Sequence, residues 1–171
     1  VAISISATTR KAREHEEDGV HYHFISEESF LKMLEDGQML EYAQFCGNFY
    51  GTPKAYVDKA LDEGKNVILE IEVQGAMKVR SKYPEGVYIF VMPPSMKELR
   101  ERIQNRGTET QDVIEERLKT AAWEYGHITK YNYVLLNDTV EDGVSRFESI
   151  ICAESCRVER NINLIEEVCN S

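Results

Sequence analysis

Short apolar segments alternate with amphipathic segments along this chain of 171 residues. Residues 1–6, 66–73, 87–92 and 133–136 are rich in Val, Ile and Leu, which predicts short buried β-strands, and the alternation in residues 20–25 predicts another. The segments between them carry apolar residues at helical spacing. Strands that alternate with helices indicate an α/β fold in which a parallel sheet is flanked by helices.

Capping residues mark where several of these helices begin. Ser26 precedes one helix, and Thr52 is placed as the N-cap of the next, with Pro53 at its first position. Ser95 and Glu98 match a capping box, so a further helix begins there. One or two amphipathic helices close the chain.

Composition and charge restrict what the chain binds. Acidic residues outnumber basic ones by 30 to 20, a formal net charge of −10, whereas nucleic acids and anionic membranes require a dominant basic surface. The sequence shows no membrane-length apolar run, no signal-peptide pattern and no paired CxxC motif. We therefore expect a cytoplasmic protein that binds neither nucleic acid nor a membrane and meets anions through local arginines; an oligomer is compatible with the sequence.

Residues 40–53 (LEYAQFCGNFYGTP) have the composition of a pocket wall. Glu41 lies beside Tyr42 and Phe45, and because an unpaired carboxylate is costly in apolar surroundings, we expect a ligand to supply a hydrogen-bond donor. Two glycines enclose aromatic residues, which suits a tight loop that presents rings and backbone amides.

Charged residues near the ends of predicted strands are further candidates. Arg10 and Arg13 follow the first strand, where an open α/β sheet binds its ligands, and two arginines there suit a phosphate. The acidic residues after them leave a balanced surface segment as an equal alternative. Glu70 and Glu72 share one face of a predicted strand, which favours a cation, a metal-bound water or a ligand N–H over a polar strand face.

Arginines recur in the second half of the chain. Arg102 and Arg106 are four residues apart on a predicted helix, and Arg117 lies on the next helix. The intervening Gly and Thr residues suit a hinged loop lined with arginine. On spacing alone, a solvated helix face in which Glu98 pairs with Arg102 is the favoured interpretation.

Several motifs, in their order and spacing, resemble the guanylate kinase family: ISATTRKAR, LEYAQFCGNFYGT, ILEIEVQG, RIQNRGTET, ERL and LLND. Members of this family are nucleoside monophosphate kinases that transfer the γ-phosphoryl group of ATP to GMP. The resemblance covers nearly the whole chain. It implies a single domain, residues 1–171, with a P-loop-kinase-like parallel sheet, an inserted GMP-binding subdomain at residues 11–65 and a lid at residues 105–122.

The resemblance also implies a set of GMP-binding residues: Ser6, Arg10, Arg13, Tyr22, Glu41, Tyr50, Thr52, Glu70, Glu72 and Gln74. The serine, the arginines and the tyrosines would hold the phosphate, while Glu41, Thr52 and Glu72 would read guanine. Guanine offers N1–H and its exocyclic amine as adjacent donors that a carboxylate accepts in parallel, and its O6 accepts from a threonine hydroxyl. Glu41 is therefore the first candidate for base specificity.

For the arginines of the second half, the resemblance reverses the interpretation from spacing. It implies that Arg102, Arg106 and Arg117 are catalytic lid residues that close over the ATP phosphates, because preorganised guanidinium groups stabilise the loose transition state of phosphoryl transfer. ATP would bring Mg²⁺, and Glu70 would act on the magnesium shell or orient an arginine; the chain has no metal site of its own. Asn137 matches an asparagine near the adenine.

One feature departs from the family: the sequence contains no GxxxxGK[ST] motif. In the family this motif belongs to a β-turn-α unit of roughly 30 residues whose strand lies near the middle of the sheet. We expect that central P-loop strand to be absent, through truncation of an ordinary kinase rather than through a sheet completed by a second copy. The chain would then bind GMP with little or no turnover. The alternative is a non-catalytic module that binds GMP or a phosphorylated protein partner.

Overall fold

Residues 1–105 and 110–171 are described by the computed structural model of the chain, in two units, Val1–Gly86 and Val87–Ser171. The elements of the first unit are, in chain order, β1 (Ala2–Ile3), β2 (Ala7–Thr8), β3 (His23–Phe24), α1 (Glu27–Glu35), β4 (Met39–Phe45), β5 (Asn48–Pro53), α2 (Lys54–Asp62), β6 (Val67–Ile68) and α3 (Val73–Lys82). Those of the second unit are β7 (Ile89–Met92), α4 (Met96–Asn105), α5 (Gln111–Tyr125), β8 (Tyr133–Leu136), α6 (Val140–Ser155) and α7 (Ile162–Cys169).

Parallel strand pairs occur in both units. In the first, β1 pairs with β6 in a register that sets Ala2 opposite Val67. In the second, β7 pairs with β8 and sets Ile89 opposite Tyr133. Parallel neighbours need a crossover connection, and helices lie between the paired strands in the sequence, so the predicted α/β class with parallel strands and flanking helices is confirmed.

The first unit also contains a mixed sheet of order β3-β2-β5-β4. Strands β4 and β5 form an antiparallel hairpin within this sheet. Cys46 and Gly47 form the turn with φ values of 46° and 74°, as a two-residue turn of type I′ requires. The turn sets Phe45 opposite Asn48. Residues 40–53 are therefore mainly a β-hairpin, and the prediction of a tight loop holds only for its turn.

Helix α1 packs against this mixed sheet. Its N-cap is confirmed, because the backbone N–H of Ser29 donates to Oγ of Ser26 at 3.1 Å. Phe30 is fully buried and stacks on Phe49, with 5.4 Å between the ring centroids. A Cβ atom on Gly51 would lie 2.9 Å from Cζ of Phe30, so the absence of a side chain lets the sheet approach the helix closely.

Four of the five predicted strands are shorter than expected; residues 20–25 and 87–92 are strand only at His23–Phe24 and Ile89–Met92. Of residues 1–6 only Ala2–Ile3 is strand, and Ile3 is exposed. Of residues 66–73 only Val67–Ile68 is strand. The chain turns out of β6 early, and α3 begins where the prediction continued the strand.

The predicted start of the second helix was one residue too early. Thr52 belongs to strand β5, and Pro53 is the N-cap of α2, without a side-chain cap hydrogen bond. The hydroxyl of Thr52 donates instead to the carboxylate of Glu41 on the neighbouring strand at 2.7 Å. The Thr52 hydroxyl thus satisfies a buried carboxylate, whereas the free N–H groups at the exposed start of α2 can donate to water in place of a side-chain acceptor.

The second unit is built around its own apolar contacts. Ile103, Ile114 and Leu118 form a buried cluster between α4 and α5. The predicted cap at Ser95 is confirmed, since the backbone N–H of Glu98 donates to its Oγ at 3.1 Å. None of the helices in the described part of the chain has the length and apolar character needed to cross a bilayer.

Candidate functional site

A cavity of about 150 Å³ opens in the first unit beside the β4–β5 hairpin. Residues from β4, β5 and the segments after β1, β2 and β6 line it: Ser6, Tyr22, Glu41, Ala43, Tyr50, Gly51, Glu70, Ile71 and Glu72. Most of the residues predicted to bind GMP are among them. The fold thus brings together side chains that are up to 66 positions apart, from Ser6 to Glu72.

Glu41 is the buried acid of this cavity. Its side chain is 5% exposed, and its Oε1 accepts the hydroxyl hydrogen of Thr52. The pKa of the Glu41 carboxyl is raised above its usual value, because burial outweighs the hydrogen bond from Thr52 and the charge of Lys78, which both lower it; the charge of Glu72 adds to the rise. With the Thr52 hydrogen bond on one oxygen and little solvent, the carboxylate retains unused acceptor capacity that a ligand with adjacent donors would fill.

Glu70 and Glu72 also reach the cavity, although the reason given for this from sequence was wrong. They do not share a strand face: both lie beyond β6, and Glu72 is the N-cap residue of α3. Nearby Tyr22 has a raised pKa, first because its hydroxyl is buried and then because of the charge of Glu70. The two carboxylates make the end of the cavity near α3 acidic.

Arg10 lies beside the cavity, and its guanidinium is held by one carboxylate and lies near two aromatic rings. Two of its N–H groups donate to the two oxygens of Glu16, each at 2.8 Å. Its guanidinium carbon lies 5.5 Å from the ring centroid of Tyr22 and 5.8 Å from that of Phe24. The Arg10 hydrogen bond lowers the pKa of Glu16 to about 2, so the pair is ionised at any physiological pH.

Arg13 shares the same carboxylate. Its backbone N–H donates to Oε2 of Glu16 at 2.8 Å, and its guanidinium lies 3.6 Å from Oε1. Both arginines are thus paired with an acid, as the balanced-segment interpretation expected. Arg10 is also held near Tyr22, as the phosphate interpretation needs. Gln74 is different, because it is exposed on the first turn of α3 and does not line the cavity.

The residues predicted to act on ATP belong to the second unit. Arg102 donates from Nε to Glu98 at 2.8 Å and from its two Nη atoms to the carbonyl oxygens of Asn137 and Asp138, at 2.8 and 2.9 Å. The Glu98–Arg102 pair expected from spacing is therefore present. Arg117 is half-buried on α5. Arg106 lies outside the described residues.

Some residues of the site were not predicted. Glu16 was counted only among the balancing acids, although its spacing of six and three residues from Arg10 and Arg13 was a usable signal. Lys78 donates from Nζ to the carbonyl oxygen of Tyr42 at 2.6 Å and lies 3.7 Å from the Tyr42 ring centroid. No sequence pattern links Lys78 to β4, because a contact between a helix and a strand 36 positions away depends on the fold.

Two acids of the cavity are candidates to contact a metal ion. Within residues 1–105 and 110–171, no group of three or more His, Cys, Asp or Glu side chains is placed to hold a metal ion. Glu70 and Glu72 offer carboxylate oxygens at one cavity. Mg²⁺ is usually held by one or two carboxylates together with waters and substrate phosphates, so this pair fits an ion that arrives with a nucleotide.

Comparison with known proteins identifies close relatives. A family model described as guanylate kinase matches residues 1–154. The guanylate kinase of Desulfitobacterium hafniense (strain Y51) is 52% identical over 160 residues, which cover 94% of this chain and 80% of that protein. The guanylate kinase of Clostridium perfringens (strain 13 / Type A) is 53% identical over 167 residues, which cover 97% of this chain and 77% of that protein.

A solved structure agrees with these sequence relationships. The crystal structure of guanylate kinase from Anaplasma phagocytophilum matches with a TM-score of 0.82 and 38% sequence identity, over 96% of this chain and 81% of that one. Family model, sequence relatives and solved structure therefore agree over most of the chain. This chain belongs to the guanylate kinase family.

Proposed function

We propose that this chain is a guanylate kinase that transfers the γ-phosphoryl group of ATP to GMP or dGMP and releases GDP and ADP. The observation that carries the proposal is the buried carboxylate of Glu41, held by Thr52 at the wall of a cavity that also contains Tyr22 and Tyr50. Membership of the family supports the reaction, and the cavity supports the acceptor.

Guanine recognition follows from the state of the Glu41 carboxylate. An ionised carboxylate accepts from N1–H and from the exocyclic amine of guanine at the same time, whereas adenine offers no such pair of donors. Thr52 gives its hydroxyl hydrogen to Glu41 in this arrangement. Thr52 therefore presents lone pairs that are suited to accept from the guanine amine, and its hydroxyl hydrogen is not available to O6.

The GMP phosphate would lie at the end of the cavity near Ser6, Tyr22 and Tyr50, where hydroxyl donors converge. Arg10 is held beside Tyr22 by Glu16. A guanidinium that is already oriented loses little conformational entropy when it binds a phosphate, which favours this placement over a mobile surface arginine. Arg13 would add a second cation on the same side.

For the transfer step we propose the lid and core roles within one domain over residues 1–171. Arg106 and Arg117 would neutralise charge on the transferring phosphoryl group, and Mg²⁺ would enter with ATP and neutralise further charge. Arg102 would act more indirectly, because its guanidinium holds the backbone of Asn137 and Asp138, where the adenine is expected.

The 171 residues include no GxxxxGK[ST] motif, whose backbone amides and lysine would cradle the ATP phosphates. We propose that this polypeptide alone therefore binds GMP but transfers phosphoryl groups slowly or not at all. A coupled assay of ADP release with GMP and MgATP tests this. Turnover at the rates usual for kinases, about 1–100 s⁻¹, would show that these residues suffice.

The acceptor assignment is tested by calorimetry with Glu41→Gln. The amide replaces one acceptor by a donor, so we expect GMP affinity to fall by at least about tenfold, in line with the 1.5–3 kcal/mol of a charged hydrogen bond. IMP, which lacks the exocyclic amine, should lose less. Glu35→Gln on the exposed face of α1 is the control, because it makes the same change of charge away from the cavity.

Two results of calorimetry would contradict the assignment of GMP as the acceptor. One is unchanged GMP affinity in Glu41→Gln. The other is wild-type protein that binds a phosphoserine peptide but not GMP, which would favour the non-catalytic module.

A further inference from the structure

Helix α3 lies directly behind the carboxylate of Glu41. A Cβ atom on Gly75 would overlap Oε2 of Glu41 and would lie 2.8 Å from its Cδ. The remaining oxygen, Oε1, is bound by Thr52. The Glu41 carboxylate is thus held by the Thr52 hydroxyl on β5 and occupies the space that the missing side chain of Gly75 leaves on α3. Any side chain at position 75 would compete with the carboxylate for that space.

Two lysines fasten α3 to strand β4. Lys78 donates to the carbonyl oxygen of Tyr42 at 2.6 Å, and Lys82, one turn further along, donates to that of Leu40 at 2.7 Å. These carbonyls flank Glu41 in the sequence. The two lysines make the same type of bond, and Lys78 in addition lies over the Tyr42 ring.

Titratable and charged groups on α3 and around the cavity surround the Glu41 carboxylate. Burial disfavours the ionised carboxylate, and Glu72 at the N-cap of α3 opposes it further. Glu70, Tyr22 and Tyr50 face the same cavity. Lys78 lowers the pKa of Glu41 and so acts in the opposite direction to burial and to Glu72.

We propose that helix α3 determines guanine specificity through Glu41: Gly75 leaves the space in which the Glu41 carboxylate lies, and the Lys78 ammonium group, held on the carbonyl oxygen of the next residue, Tyr42, favours the ionised form of that carboxylate. The inference rests on the proposed function, in which Glu41 accepts from guanine. Gly75 and Lys78 are positioning residues, because they act on the base through Glu41.

Ionisation matters because only the carboxylate is a pure acceptor. A protonated carboxyl group carries a hydrogen of its own, which faces the guanine donors and removes one of the two acceptor positions. GMP therefore binds to the ionised form, and affinity is retained above the pKa of Glu41 in the free protein and is lost as the pH falls through it. A variant that raises this pKa moves the loss of affinity to higher pH.

The Lys78 part is tested by titrating GMP against Lys78→Met across pH 4.5 to 8 by calorimetry. GMP affinity falls as the pH is lowered, and we expect the midpoint of this fall to lie about half to one pH unit higher in the variant. At a pH below both midpoints the variant would then bind GMP about threefold to tenfold more weakly than the wild type. The second ionisation of the phosphate, near pH 6, is common to all variants and cancels in the comparison.

Lys82→Met is the matched control, because it removes the same kind of bond to β4 one turn away. Its midpoint should stay close to that of the wild type, and Lys78→Arg should restore the wild-type midpoint. Equal midpoints in Lys78→Met and Lys82→Met would overturn the role of Lys78.

The Gly75 part is tested with Gly75→Ala. The added methyl group displaces the carboxylate, so GMP affinity should fall at least about tenfold and the preference for GMP over IMP should fall with it. Alanine favours a helix more than glycine does, so the circular dichroism spectrum should remain helical. Adding Glu41→Asp, which withdraws the carboxylate by one methylene, should recover part of the preference. A Gly75→Ala protein that keeps the wild-type preference contradicts this role.

The outcomes separate the inference from the function beneath it. If the wild type does not bind GMP, or if Glu41→Gln binds it equally well, the proposed function fails. If the wild type binds GMP and Glu41→Gln does not, while Gly75→Ala and Lys78→Met both match the wild type at every pH, the function stands and the inference is wrong.

Discussion

Glu16 is the residue on which Arg10 and Arg13 converge. Its carboxylate accepts two N–H groups of the Arg10 guanidinium and the backbone N–H of Arg13. Its side chain is 13% exposed, so these bonds are only partly screened by water. One acid thus holds both arginines, one of them next to Tyr22, and its removal would release both of them.

We expect Glu16→Gln to lower the free energy of unfolding by about 1.5–3 kcal/mol at pH 7, the range for hydrogen bonds to charged groups. Because the pKa of Glu16 is lowered from 4.5 to about 2 in the folded protein, this stability is present above about pH 4.5 and is lost as the pH falls toward 2. Urea unfolding at several pH values measures it, and the two proteins should converge in acid.

The exposed neighbour Glu14 supplies the control for this comparison, since Glu14→Gln changes the same charge on the same segment. A difference between Glu16→Gln and wild type that stays constant from pH 7 to pH 2 would show that the ion pair is not its source.

At this scale, residue chemistry was easier to predict than residue partners. Glu41 was found because an acid among aromatic residues requires a donor. The bond from Thr52 to Glu41 was missed, since the strand register that sets them opposite each other is not visible in the local sequence. Lys78 was missed for the same reason: its role depends on α3 lying against β4.

At the scale of elements, helix α1 supports the site from below the sheet. Its Phe30 packs on Ala7 and Met39, next to the strands that carry Glu41 and Tyr50. Helix ends were predicted well where a serine precedes an apolar stripe, as at Ser26. Strand lengths were predicted poorly, because hydrophobic runs do not reveal where a chain turns out of a sheet.

The cap of α1 gives a prediction with an internal control. Ser26→Ala removes the acceptor for the N–H of Ser29 and should cost about 1 kcal/mol of unfolding free energy in urea. Thr110 is the N-cap residue of α5 but makes no side-chain cap hydrogen bond, so Thr110→Ala should have a clearly smaller effect. If both variants lost the same unfolding free energy, the hydrogen bond to Ser26 would not be the source of the loss.

At the scale of the whole molecule, the charge of −10 has to be reconciled with an anionic substrate. Arg10 lies near Tyr22, and Arg10 and Arg13 together carry one more charge than the Glu16 carboxylate that they share, so they can attract an anion locally in an otherwise acidic protein. Binding there should weaken with salt, because interactions between exposed charges more than about 10 Å apart are largely screened at 0.1 M.

GMP should stabilise the folded protein by mass action. At a concentration one hundred times its Kd it adds about 2.7 kcal/mol, which raises the Tm by about 5–10 °C for a chain of this size. Differential scanning calorimetry with and without GMP measures the shift, and Glu41→Gln at the same concentration should show a smaller one. A Tm that GMP leaves unchanged would favour a packing domain without a ligand.

The closeness of Gly75 to Glu41 also bears on how this cavity could evolve. A substitution at position 41 alone would leave the space at Gly75 and the charge of Lys78 matched to a carboxylate that is no longer there. A larger residue at position 75 alone would displace the Glu41 carboxylate without creating a site for another base. A change of base preference therefore requires coordinated substitutions on β4, β5 and α3. Such coupling makes single-step drift to another nucleobase improbable and directs redesign of the cavity to Glu41, Thr52, Gly75 and Lys78 together.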